Sequence, residues 1–82
     1  MKTPIEKIET ANEIVSNALT QIKIHKAWIK GRERTIAYLI SIGITDNEEP
    51  LVEIEKYKKT IESYKMDILR QSSVLIDNTK HL

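Results

Sequence analysis

The sequence predicts an all-α protein: a long antiparallel helical hairpin, coiled-coil-like, that dimerises into a four-helix bundle. Three observations predict it. Ile8, Val15, Ile22, Ile29 and Ile36 recur every seven residues, and Ile54, Ile61, Ile68 and Leu75 do the same further on. Helix-breaking residues are scarce, with 2 Gly and 2 Pro in 82 residues. One cluster of stop, turn and restart signals separates the two repeats.

The first helix starts at Thr3-Pro4-Ile5-Glu6. Thr3 is suited to cap, Pro4 to occupy the first helical position, and Glu6 to complete a capping box near the positive end of the helix dipole. No strong breaker follows until Gly43, so the helix is placed at about 4–42. Gly31 is the weak point, because an interior glycine costs about 1 kcal/mol relative to alanine. A break there would give a three-helix arrangement. The unbroken heptad from Ile29 to Ile36 favours a continuous or gently kinked helix instead.

Gly43 reads as a C-terminal cap, and Asp46 or Asn47 as the cap of the next helix. Glu48, Glu49 and Pro50 fit a first helical turn. The turn is therefore 43–49 and the second helix about 50–78, within one domain spanning 1–82. A sustained seven-residue period implies a left-handed supercoil. The companion seam positions are Ala11, Ala18, His25, Arg32 and Leu39, then Tyr57, Tyr64, Gln71 and Asn78. Small residues there allow close approach, and polar ones specify register. Reflection about residue 47 pairs Ile40 with Ile54, Ile29 with Lys65 and Arg32 with Glu62.

The apolar arc is wider than a two-stranded seam needs. Ile5, Ile14, Leu19, Trp28, Ile40 and Ile42 flank the first seam; Leu51, Met66, Leu69, Val74 and Ile76 flank the second. A second copy would cover such a surface and complete an antiparallel bundle. A third segment of the same chain, or a different protein, would also cover it. The segment Ile36–Ile44 is apolar almost all round, which makes Tyr38, Ile40, Ile42 and Ile44 the candidate partner-binding residues.

With no Cys, disulfides and the usual zinc frameworks are excluded. The longest apolar run, Ile36 to Ile44, is about half a membrane span. The N-terminus turns acidic where a signal sequence would be apolar. A cytoplasmic location without membrane insertion is the expectation.

The net charge is +1, but residues 23–34 carry five cations and one anion, whereas residues 35–55 carry five anions and no cation. Lys23, Lys26, Lys30 and Arg34 follow helical spacing, with Trp28 between them in sequence and Arg32 nearby. Clustered cations beside an aromatic are what a phosphate and a base would need. Nucleotide, nucleic acid or an acidic protein is the alternative partner. A solvated face paired with Glu53, Glu55 and Glu62 of the second helix, or with a second subunit, is the plainer reading of the same residues.

Nothing resembles a catalytic site. His25 falls on the seam, His81 sits in the tail, and Ser72 and Ser73 have no accompanying base. Tyr57 and Tyr64 read as core aromatics. The acidic turn lacks the alternating ligands and central glycine of a calcium loop. No metal or cofactor is expected. The function anticipated is a non-catalytic protein-interaction module: a regulator, inhibitor or assembly factor that packs helices on a partner. Small Lys- and Ile-rich helical chains are common among viral and mobile-element accessory proteins, an association of composition rather than of motif.

Overall fold

The computed structural model describes residues 3–80, and His81 lies outside them. Helix α1 spans Pro4–Ser41 and helix α2 spans Glu48–Thr79. The two lie side by side as an extended hairpin, 62 × 17 × 14 Å between Cα extremes. No described residue is in a strand, and no described helix is long and apolar enough to cross a membrane. A four-helix bundle of two such hairpins lies beyond what one hairpin shows.

Local chemistry accounts for the ends. The Thr3 hydroxyl accepts from the Glu6 amide at 3.2 Å, and Pro4 occupies the first turn. At the other end of α1, the Gly43 amide donates to the Ile40 carbonyl at 3.0 Å and the Ile44 amide to the Leu39 carbonyl at 2.8 Å. That pair of bonds is a Schellman motif, and it needs a left-handed residue at Gly43, whose φ is +86°. Asn47 occupies the cap position of α2 without a side-chain capping bond. Asp46 supplies instead one long contact, accepting from the Glu48 amide at 3.4 Å.

α1 is continuous through Gly31. A side chain at that position would meet nothing within 4 Å, so neither crowding nor a turn requires the glycine.

Every heptad position of α1 from Ile8 to Leu39, and of α2 from Ile54 to Asn78, is buried or half-buried. Ala11 and Ala18 are the most completely buried, at 1% exposure each, followed by Ile54 and Ile61. The small residues let the helices approach closely where they lie. Asn47, seven residues before Ile54, extends the α2 seam into the turn and is itself buried. Its Oδ1 has no hydrogen-bond partner.

The pairing along the seam differs from the reflection about residue 47. Arg32 pairs with Glu53, not Glu62. Trp28 packs on Tyr57 with ring centroids 5.4 Å apart. In both pairs the residue numbers add to 85, which puts the fold-back point next to Gly43. Glu62 and Lys65 pair with each other on α2 at 3.2 Å. Ile40 is 57% exposed and does not pack in the layer of buried Ile54. The reason is the connection: α1 stops at the Gly43 motif, and the buried Asn47 already belongs to the returning seam.

Candidate functional site

The seam carries one polar-aromatic cluster. The ring of buried His25 lies 4.8 Å from that of Trp28, 5.9 Å from Tyr57 and 6.0 Å from Tyr64. Its Nδ1 is 2.6 Å from the Gln21 carbonyl. A carbonyl only accepts, so Nδ1 carries the proton and donates. Two turns beyond His25, the Arg32 guanidinium donates from Nε to Glu53. Glu53, and to a smaller extent Tyr57, hold the Arg32 pKa above its ordinary value. A shallow notch of about 340 Å³ lies over Gly31, lined by Ala27, Trp28, Arg32 and Tyr57. His25, Arg32 and the aromatics are thus engaged with one another.

Lys23, Lys26, Lys30 and Arg34 are exposed, and among the described residues none of them forms an ion pair. Glu53 is taken by Arg32, Glu55 by Lys58 and Glu62 by Lys65. The face is solvated, as the plainer reading has it, but of the three acids only Glu53 pairs with α1, through Arg32, while Glu55 and Glu62 pair within α2. Trp28 does not join the stripe. Residues two apart on a helix are separated by about 160° around its axis, so Lys26 and Lys30 point away from Trp28. The six residues proposed as one phosphate site therefore divide into an outer strip of four cations and an inner pair, Trp28 with Arg32.

A second feature of that strip escaped the sequence reading. Glu6, Glu9 and Glu13 carry it on toward the N-terminus of α1, exposed and without ion pairs among the described residues. Their own three-and-four spacing was the available signal.

The turn end is the other candidate. Tyr38 is 63% exposed, Ile40 57%, Ile42 53% and Ile44 44%. Ile42, just past the end of α1, donates its amide to the Tyr38 carbonyl and lies on the same side as Tyr38; Ile40 lies on the other. From α2, Leu51 and Val52 add to them, each more than half exposed. Together they form an apolar collar around the turn rather than one flat patch. Leu51 and Val52 also line a shallow groove of about 790 Å³ that runs from Thr45 to Lys59.

The Ser72 hydroxyl donates to the Ile68 carbonyl within its own helix. Among the described residues, no three His, Cys, Asp or Glu side chains come together in a way that could hold a metal ion. Comparison with protein-family models, with curated proteins and with solved structures finds no match to this chain.

Proposed function

We propose that this chain is a non-catalytic protein-interaction module that acts as a regulator, inhibitor or assembly factor by packing its turn end on a partner protein. The observation that carries the reading is the apolar collar of Tyr38, Ile40, Ile42, Ile44, Leu51 and Val52. Apolar area left in water costs about 25 cal/mol per Å², so a cluster of this kind favours a partner that covers it. A collar around a hairpin tip suits a partner with an apolar groove.

The test compares the wild type with the Tyr38→Glu/Ile42→Glu double variant in affinity capture from host extract, with captured proteins identified by mass spectrometry. A protein held by the wild type and lost from the variant is the expected result. Equal capture by both would move the contact away from the turn end.

A second reading, binding of nucleotide or nucleic acid, is favoured by the four cations on the outside of α1 that have no ion-pair partner among the described residues. Fluorescence anisotropy of a labelled oligonucleotide at low salt tests it. Binding that weakens steeply with salt would support it, and a flat signal would remove it.

A further inference from the structure

We infer that a second copy of this chain docks on the outer face of α1, antiparallel to it, through complementary acidic and basic halves. The inference goes beyond the turn-end reading, because it concerns a different surface and a different occupant.

The face is defined by helical spacing. Glu6, Glu9 and Glu13 lie at intervals of three and four; Lys23, Lys26, Lys30 and Arg34 lie at intervals of three, four and four. At 100° per residue all seven fall on one side of α1, away from the seam with α2. All seven are exposed, and none has an ion-pair partner among the described residues. The strip is thus acidic at one end and mostly basic at the other, with exposed Glu33 along the edge that carries Lys26.

Such a strip is self-complementary when two copies run antiparallel. Glu6 then faces Arg34 of the second copy, Glu9 faces Lys30 and Glu13 faces Lys26. The residue numbers in these pairs add to 40, 39 and 39, so one two-fold axis near residue 20 satisfies all three. A two-fold interface repeats each contact, which doubles the pairs. Leu19, Ser16 and Thr20 lie at the axis, all exposed. The two small residues permit close approach, and Leu19, at 56% exposure, meets its own copy.

The exposed area leaves room for a second copy, and the charges select the face. The chain exposes 6276 Å². A compact monomer of 9.5 kDa exposes about 5,000 Å². The excess exceeds the roughly 800 Å² per partner that a standard interface removes from water.

Sedimentation equilibrium on the full chain tests the register directly. Two double variants have the same composition and the same net charge. Glu9→Lys/Lys30→Glu keeps every facing pair of opposite sign. Glu9→Lys/Lys26→Glu sets like charges against Lys30 and Glu13 of the second copy. The first is expected to dimerise as the wild type does; the second is expected to bind itself at least about tenfold more weakly. A wild type that stays monomeric, or two variants of equal affinity, would overturn the inference. A Leu19→Cys variant gives a second readout, since the chain has no other Cys. Air oxidation should yield a covalent dimer far faster than for Lys59→Cys on the outside of α2, and equal rates would count against the axis. A monomer that binds an oligonucleotide through these cations would assign the strip to a polyanion and overturn the inference as well. The Tyr38→Glu/Ile42→Glu variant should remain dimeric whether or not it loses the turn-end partner, so the two proposals fail separately.

Discussion

Two glycines of this chain have opposite roles. Gly43 sits at φ +86°, where an L side chain is strained, and the bonds that close α1 depend on that conformation. Gly31 lies in ordinary helix with open space where a Cβ would point. Replacing Gly31 by alanine removes backbone freedom from the unfolded chain and adds no clash. Gly31→Ala should therefore stabilise the fold by about 0.5–1 kcal/mol, whereas Gly43→Ala should destabilise it by about 1 kcal/mol or more. Urea unfolding followed by circular dichroism checks both signs. The same substitution at two sites separates conformational strain from helix propensity.

At the scale of the elements, the pairing of α1 with α2 rests on few specific contacts. Ala11 and Ala18 set the distance between the helices near the open end. A larger residue there must push α2 away, so Ala18→Leu should cost about 1–3 kcal/mol despite its greater hydrophobicity, measurable by the same urea titration. Register is the second matter. A double-mutant cycle on Arg32 and Glu53 should show a coupling of about 0.2–1 kcal/mol, the range for a partly exposed pair, and one on Arg32 and Glu62 should show none. Coupling to Glu62 instead would restore the reflection about residue 47. A guanidinium is charged at any ordinary pH, so pH does not break the pair from the Arg32 side. The seam itself was legible in the sequence, because a seven-residue period of isoleucine has one physical solution in two helices. The continuity of α1 at Gly31 was legible for the same reason. The register was not, since it depends on how many residues the Gly43 motif and Asn47 consume in turning. Trp28 is adjacent to the lysines in sequence but not on the helix, because residues two apart lie on opposite sides of it. The acidic half of the outer strip went unseen because Glu6 had already been given a capping role.

At the scale of the whole molecule, the core is too thin to account for stability comfortably. Among the described residues, Ala11, Ala18, Ile22, Ile54 and Ile61 are the buried apolar ones, and no large side chain is below 2% exposure. Two long helices expose more surface per unit mass than a compact chain does, so less apolar area is withdrawn from water to offset the entropy of ordering the backbone. Large side chains left half exposed, such as Ile5, Leu19 and Leu69, remain available to a neighbouring molecule. A chain stabilised partly by association unfolds at a temperature that depends on its own concentration, because dilution removes the bound copy. The melting temperature should therefore rise when the chain is concentrated over a roughly hundredfold range at low salt. If the attraction is mainly between the acidic and basic halves of α1, that rise should shrink at about 1 M salt, where the screening length falls to roughly 3 Å. If apolar contact dominates, the rise should survive the salt, since burial of apolar surface is not screened. A melting temperature independent of concentration under both conditions would mean that the hairpin stands by itself, with the seam supplying the whole of its stability. Calorimetry at two concentrations and two salt levels distinguishes the three cases without any substitution in the chain.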